Sequence, residues 1–199
     1  EGVSTSTAAM LGATERGPLY PRMVSSWLEY QRWYGGYVAS VPDVSYLPYA
    51  VEGFFKNGGQ RLYVGRIIEA NSLANYAANN LGDLHVIANG PGDWANRLYV
   101  RVTAGTKRDA TNDYFRFTVL YFDADNQPPQ GVPVVDPLVP APNDPNRRTP
   151  QKVEDYDNLV LTPNRPNSVE TIVNSASQLV RVWLNTDPPG PVDLVTWAN

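Results

Sequence analysis

The sequence contains no cysteine and only one histidine among its 199 residues. The absence of thiols excludes disulfide bonds, thiolate zinc sites and cysteine nucleophiles. The single histidine, His85, lies in the apolar run Leu84–Ile87. Because an ordinary catalytic triad or zinc site needs further histidines or cysteines, we expect His85 to be a half-buried structural residue.

Long hydrophobic runs and blocks of like charge are also missing. No stretch approaches the ~18 apolar residues of a membrane-spanning helix. The 16 basic and 20 acidic residues are spread along the chain and give a net charge of −4. Nucleic acids and anionic membrane surfaces are bound through concentrated basic faces. We therefore expect neither nucleic-acid binding nor membrane insertion.

The residues that are present can build a packed core, since 42% are hydrophobic and 5 are tryptophan. A length of 199 residues corresponds to one or two domains at ~150 residues each. Periodicity predicts a mixed α/β fold of the α+β type. The predicted strands cover 3–11, 61–67, 84–88, 98–104, 114–122 and 192–197, and the predicted helices cover 27–34, 48–57 and 72–81. Residues 167–184 fit both a helix and a strand.

Local signals place the first two helices. Ser26 and Glu29 have the spacing of a capping box, and Pro48 suits the first turn of a helix. Gly58 and the glycine after it supply a left-handed stop. Because Phe54 and Phe55 lie on the apolar stripe of the second helix, we expect at least one of them to be nearly fully buried.

The prolines mark an insertion at 124–150. Residues 128–150 hold 8 of the 18 prolines of the chain. This density excludes a helix or a central strand and predicts an extended surface loop, with a ligand for a proline-recognition domain as the alternative.

Acidic groups are the remaining candidates for chemistry. Paired carboxylates can hydrolyse glycosides or bind calcium. Asp123 with Asp125 forms one such group, and Glu154, Asp155 and Asp157 form the other. Both lie in polar surroundings where solvated residues are the ordinary outcome. We therefore assign no catalytic, metal-binding or cofactor-binding residue, and we expect the chain not to be an enzyme.

Four blocks of the sequence resemble the contractile tail sheath proteins of phages and of extracellular contractile injection systems. The first block comprises Gly2–Gly12, Arg16-Gly17-Pro18 and Val24–Trp27, and the second comprises FFKNGG at 54–59 and YVGR at 63–66. The third block is ANGPGDWAN at 88–96. The fourth comprises VEDYDNL at 153–159 and residues 168–182. They follow the family's order and cover about two thirds of the chain. Ala95 departs from the family, which usually has glycine there.

The resemblance implies a fold, an organisation and a role. It implies a β-α-α-β segment over 1–83, a β-rich segment over 84–199 with the insertion at 124–150, and a helix at 167–175 followed by a strand at 178–184. It also implies that the family's N-terminal arm and C-terminal domain, which link subunits and contact the tube, lie outside these residues.

As a sheath subunit, the protein would polymerise helically around a tail tube and contract to drive the tube through a target cell envelope. Its partners would be identical subunits, the tail tube protein, and baseplate and tail terminator proteins. It would be assembled in the host cytoplasm and reside in the virion tail, or alternatively in an injection particle that delivers protein effectors.

Two other classes of protein stay open. A carbohydrate-binding or adhesion module would expose tryptophan or tyrosine in a cleft, whereas the sheath interpretation expects Trp27, Trp33 and Trp94 to be largely buried. A hydrolase using Asp123 and Asp125 is the third alternative.

Overall fold

A computed structural model describes residues 6–38, 45–70, 76–109, 113–140, 143–184 and 195–198. The chain forms two compact units. The first comprises Glu1–Tyr76 with Asn89–Trp94, and the second comprises Ala77–Ala88 with Ala95–Asn199. The mixed α/β fold class predicted from the sequence is confirmed.

The first unit places two helices on a three-stranded sheet. Its elements are β1 (Thr7–Gly12), β2 (Arg22–Val24), α1 (Trp27–Tyr34), α2 (Leu47–Lys56) and β3 (Arg61–Arg66). The sheet has the order β1-β3-β2, with β1 parallel and β2 antiparallel to β3. The sequence predicted β1, β3 and both helices but not β2, which is only three residues long and follows Pro21.

The core of this unit lies between the sheet and the helices. It contains eight buried residues: Val24, Tyr30, Trp33, Tyr34, Leu47, Val51, Leu62 and Val64. The expected burial of Trp33 is confirmed at 8% exposure, whereas Trp27 is only partly buried and packs against the edge of this cluster.

The capping signals of both helices appear in the structure. The Ser26 hydroxyl accepts from the Glu29 backbone N–H at 3.1 Å. A capping box predicts that the Glu29 carboxylate accepts from the N–H of Ser26. It accepts instead from the N–H and the hydroxyl of the preceding residue, Ser25, at 2.8 and 2.7 Å. Helix α1 ends at Gly35 with φ +86, and Pro48 lies in the first turn of α2.

The described residues of the second unit form two antiparallel sheets and one α-helix. Its elements are β4 (Ala78–Leu81), β5 (Leu84–Ala88), β6 (Leu98–Ala104), β7 (Phe115–Tyr121), β8 (Lys152–Leu159), α3 (Val169–Ala176), β9 (Val180–Leu184) and β10 (Val195–Ala198). One sheet has the order β10-β6-β7-β8 and the other β4-β5-β9. The helix and strand that the resemblance implied within 167–184 are confirmed as α3 and β9.

The predicted helix over 72–81 is wrong. Residues 71–75 lie outside the described part of the chain, but Ala78–Leu81 is the strand β4, which pairs with β5. The two strands are joined by Gly82 and Asp83, and Gly82 has φ +65. A two-residue glycine-containing turn between apolar residues is a hairpin signal. This tertiary pairing overrides the helical spacing of the alanines.

The proline-rich insertion lacks regular structure where it is described. A short 3₁₀ turn covers Ala124–Asn126, and the described residues from 127 to 150 form turns and irregular backbone, as predicted. Arg147 holds part of it, donating from Nη1 and Nη2 to the carbonyl oxygens of Val139 and Pro137 at 2.5 and 2.7 Å.

No helix in the described part of the chain is long and apolar enough to cross a bilayer.

Candidate functional site

The sequence FFKNGG forms the end of helix α2. The Gly59 N–H donates to the Phe54 carbonyl oxygen at 2.9 Å, and the Gly58 N–H donates to that of Phe55 at 3.2 Å. These two bonds are those of a Schellman motif, with Gly58 in the left-handed position at φ +87. The Asn57 side chain adds a bond to the Gly53 carbonyl oxygen at 2.7 Å. Each residue of Asn-Gly-Gly therefore contributes to ending the helix.

Gly59 has a second role, because the Phe54 ring lies directly over it. A Cβ on Gly59 would come within 2.3 Å of that ring. Beside the ring is an open groove of about 410 Å³ lined by Ser6, Met10, Ala50, Gly53, Phe54, Asn57, Gly58 and Gly59. The expectation that Phe54 or Phe55 is nearly fully buried is wrong, since both are only partly buried. The buried residues of α2 are Leu47, Pro48 and Val51, nearer its start.

Arg66 joins three blocks of the sheath resemblance. It ends the YVGR block on β3, and its Nη1 donates to the Gly17 carbonyl oxygen at 2.8 Å and to that of Pro91 at 2.9 Å. Gly17 belongs to the Arg-Gly-Pro segment and Pro91 to the ANGPGDWAN turn. Burial lowers the pKa of the Arg66 guanidinium. The side chain thus fixes two loops to the end of the sheet.

Glycine is required where these loops meet. Gly90 has φ +144, and a Cβ there would lie 2.1 Å from the Gly17 carbonyl oxygen. Trp94 closes the same turn, donating from its indole Nε1 to the Pro91 carbonyl oxygen at 3.1 Å. Its side chain is 3% exposed, which confirms the expectation of burial.

An aromatic series runs from the core of the first unit to its surface. Trp27 stacks on Tyr30 with centroids 5.2 Å apart and meets Tyr37 at 5.5 Å. Tyr37 in turn meets Tyr49 at 4.6 Å. The Tyr37 hydroxyl donates to Glu52 at 2.6 Å, and this bond raises the pKa of Tyr37 to about 12.

The outer face of the first sheet is apolar and exposed. Tyr63 on β3 lies between Ala9 on β1 and Met23 on β2. Tyr63 is 49% exposed and Leu11, which folds over Gly65, is 71% exposed. Side chains on the opposite face, such as Leu62 and Val64, are fully buried. Contiguous exposed apolar surface of this kind is typical of a contact surface.

In the second unit, Asp155 and Asp157 of the VEDYDNL block accept hydrogen bonds from side chains and a backbone N–H of the same unit. Asp155 accepts from Arg116 Nε at 2.8 Å and from the Thr118 hydroxyl at 3.0 Å. Hydrogen bonding from Arg116 holds the pKa of Asp155 below its usual value. Asp157 accepts from the Thr106 N–H at 3.0 Å, and the bonds from Thr106 likewise lower the pKa of Asp157.

The expectation that Glu154 is solvated is wrong, because it lies on the opposite face of β8 and is buried, with 9% exposure. Its Oε2 accepts from the Ser177 hydroxyl at 2.5 Å, and its Oε1 accepts from the Gln178 N–H at 3.0 Å. Lys152 Nζ lies 3.0 Å from Oε1. Alternation along β8 could have predicted that Lys152, Glu154 and Tyr156 share one face, but the contact with Ser177 and Gln178 depends on the fold.

The other candidate residues do not converge. Asp123 and Asp125 are exposed beside the short 3₁₀ turn. The half-buried His85 lies opposite Trp183 in the pairing of β5 with β9, and the two rings are 4.1 Å apart. Across the ranges that the structure describes, no group of three or more histidine, cysteine or acidic residues is arranged to hold a metal ion.

Comparison with known proteins finds similarity only among solved structures. No family model and no curated protein sequence matches the chain. The sheath tail protein of Desulfitobacterium hafniense is 12% identical, with a TM-score of 0.44, over 97% of this chain and 34% of that protein. The sheath tail protein of Listeria innocua is 10% identical, with a TM-score of 0.46, over 100% of this chain and 34% of that protein. The chain thus spans about a third of the length of these structures.

Proposed function

We propose that the chain is part of a contractile tail sheath subunit, a structural protein without catalytic or cofactor-binding residues. The proposal is supported by the structural role of the residues in the four blocks that resemble sheath proteins. Arg66 ties three of them together through backbone carbonyl oxygens, and Asn57, Gly58 and Gly59 end a helix. These polar groups hold the main chain in place, which is what a rigid repeated subunit requires.

The exposed outer face of the first sheet supports assembly with further copies. Tyr63, Met23 and Leu11 present apolar surface there. A sheath needs heterologous contacts that do not close, because such contacts generate a helical filament. We propose that a neighbouring subunit covers this face.

The finer role follows from the sheath resemblance. Subunits would surround a tail tube, contact baseplate and tail terminator proteins, and change between two arrangements of their interfaces during contraction. Contraction would drive the tube through a target cell envelope and deliver a phage genome from a virion tail. Delivery of protein effectors by an extracellular injection system is the alternative, and neighbouring capsid and terminase genes would identify a phage.

Electron microscopy of the full-length polypeptide tests this function. We expect striated tubes when the protein is produced together with its tail tube protein. A monodisperse protein that forms no tubes with or without the tube protein would contradict the proposal.

A second candidate, carbohydrate binding or adhesion, has one observation in its favour. Trp183 is 38% exposed, and its ring lies against that of His85 with centroids 4.1 Å apart and an interplanar angle of 31°. It lies on a sheet face, and neither the groove beside Phe54 nor a cavity of about 170 Å³ near Val86 and Val180 is lined by tryptophan or tyrosine. Binding to a glycan array that Trp183→Ala abolishes would favour this candidate.

A further inference from the structure

A lysine, a glutamine and a buried glutamate meet in the second unit. Lys152 and Glu154 project from the same face of β8, and Gln178 lies between α3 and β9. Lys152 Nζ contacts the Gln178 side-chain oxygen Oε1 directly, and it lies 3.0 Å from Glu154 Oε1. The amine therefore contacts both the oxygen of the carboxamide that it would attack and a carboxylate that can accept its proton, and the same carboxylate accepts from the backbone N–H of Gln178.

The side chains of Lys152 and Glu154 are largely shielded from solvent, and hydrogen bonds hold the Glu154 carboxylate in place. The side chains of Lys152 and Glu154 are 19% and 8% exposed. Lys152 is paired across the strands with Tyr121, which is fully buried. The Ser177 hydroxyl and the Gln178 N–H hold the two carboxylate oxygens at 2.5 and 3.0 Å. Reacting groups that are held in contact gain the large rate advantage of an intramolecular reaction.

We propose that Lys152 and Gln178 form an intramolecular isopeptide bond, with Glu154 as the proton-transfer group. Lys152 first gives a proton to Glu154, because only the neutral amine is a nucleophile. Its Nζ then attacks the carboxamide carbon Cδ of Gln178, and a new C–N bond forms. Glu154 delivers that proton to the departing amide nitrogen as the bond between Cδ and Nε2 breaks, and ammonia leaves. Nζ, which is positively charged after its attack, loses a second proton to the Glu154 carboxylate, and the ammonia carries this proton away as ammonium.

The bond would covalently join β8 to the segment that leads into β9. These strands belong to different sheets of the second unit. A cross-link that closes a loop of the chain lowers the conformational entropy of the unfolded state and so stabilises the folded state. The bond would form within one unit of one chain, so it would form whether or not the protein is a sheath subunit.

Intact-mass measurement of the purified, denatured protein tests the proposal. We expect the mass to be lower than that of the sequence by one molecule of ammonia. Trypsin should fail to cleave after Lys152, since its amine is acylated, so that residues 149–181 stay joined in one peptide. A mass equal to that of the sequence, with normal cleavage after Lys152, would overturn the proposal.

The peptide analysis also excludes another source of ammonia loss. Asn57-Gly58 and Asn89-Gly90 can each lose ammonia by cyclising to a succinimide, but that product leaves cleavage after Lys152 intact. A mass deficit located in either of those peptides would therefore count against the cross-link.

Three variants separate the roles of the residues. Lys152→Arg keeps the positive charge and should restore the full mass, whereas Lys107→Arg, at an exposed lysine outside the cluster, should keep the deficit. Glu154→Gln should slow formation of the bond in a time course after synthesis. If Lys152→Arg keeps the deficit, or if Glu154→Gln forms the bond as fast as the wild type, the assigned roles are wrong.

Discussion

Arg66 shows how one side chain can organise a region that is distant in sequence. Its Nη1 donates to the carbonyl oxygens of Gly17 and Pro91, which lie in two separate loops. Hydrogen bonds from a charged donor are worth about 1.5–3 kcal/mol each. Without Arg66, the Gly17 carbonyl oxygen would lose its bond from the guanidinium, whereas the Pro91 carbonyl oxygen would keep the bond from Trp94. The stability of the first unit should therefore depend on this residue more than its partial exposure suggests.

We expect Arg66→Ala to lower the free energy of unfolding by about 2–4 kcal/mol, because both loops lose their anchor. Arg61→Ala is the matched control, since Arg61 lies on the same strand but is exposed. It should change stability by no more than about 0.5 kcal/mol. Denaturant titration measures both, and equal effects of the two variants would contradict the role given to Arg66.

Asp155 gives a prediction about pH. Its pKa is lowered in the folded protein by Arg116, so it stabilises the fold at pH values above its unfolded pKa of about 4. This contribution is lost as the pH falls through the lowered folded value. We expect Asp155→Asn to be less stable than the wild type above about pH 5, with the difference shrinking as the pH falls below about 4.

Thermal unfolding across this pH range checks the prediction, with Asp123→Ala and Asp125→Ala as controls at exposed positions. Both controls should stay within about 0.5 kcal/mol of the wild type at every pH. A loss of several kcal/mol in either control would instead point to a role for these two residues.

Among the secondary-structure elements, helix α2 ends in three consecutive residues that each have a different structural role. Asn57 caps the helix, Gly58 reverses the chain, and Gly59 makes room for the Phe54 ring. Since that ring is only partly buried, its packing contributes less than a fully buried phenylalanine would. Phe54→Ala should therefore cost about 1–3 kcal/mol rather than the 3–5 kcal/mol typical of a core site.

Two glycines of this element provide a matched comparison. Apart from adjacent residues and the backbone of the helix itself, no atom lies within 4 Å of the place where a Cβ on Gly53 or Gly58 would be. Gly53 is in the helix, so Gly53→Ala should stabilise the protein by about 0.5–1 kcal/mol. Gly58 has φ +87, so Gly58→Ala should destabilise it by about 1–2 kcal/mol. Denaturant titration should show effects of opposite sign, and effects of the same sign would contradict the assignment of the helix end.

At the scale of the whole molecule, the two faces of the first sheet have different partners. One face is covered by α1 and α2, and the other presents Leu11, Met23 and Tyr63 to solvent. Exposed apolar side chains that lie side by side are typical of an interaction surface. The exposed face is therefore where we expect a neighbouring subunit.

We expect Tyr63→Lys in the full-length protein to reduce tube formation while leaving the stability of the isolated subunit within about 0.5 kcal/mol of the wild type. The reason is that a charge at the centre of a subunit contact opposes association but is solvated in the monomer. Leu28→Lys, at an exposed apolar position of helix α1 on the other side of the sheet, is the control for added charge. Tubes that form normally from Tyr63→Lys would show that this face is not a contact.

A second assembly prediction concerns residues 1–199 alone. Under the proposed sheath function, subunits would be linked by strands from terminal arms that lie outside these residues. Main-chain hydrogen bonds between such strands and sheet edges supply the connection. We expect the 199-residue chain to form monomers or small oligomers by light scattering, and regular tubes from this chain alone would show that the arms are dispensable.

Local sequence signals were enough to predict most of the helices and strands. The capping box at Ser26, the glycines that end α2 and the alternation in β6 and β7 each act over a few residues, so their signals could be read directly. The helix predicted over 72–81 was wrong because the pairing of β4 with β5 outweighs a weak local preference.

Contacts between residues that are distant in sequence could not be predicted in this way. The partners of Arg66, the partial exposure of Phe54 and the contact of Lys152 with Gln178 depend on how sheets and loops pack. Spacing along the chain carries no information about such contacts, because the free energy that fixes them comes from burial and hydrogen bonding between segments that are far apart in sequence.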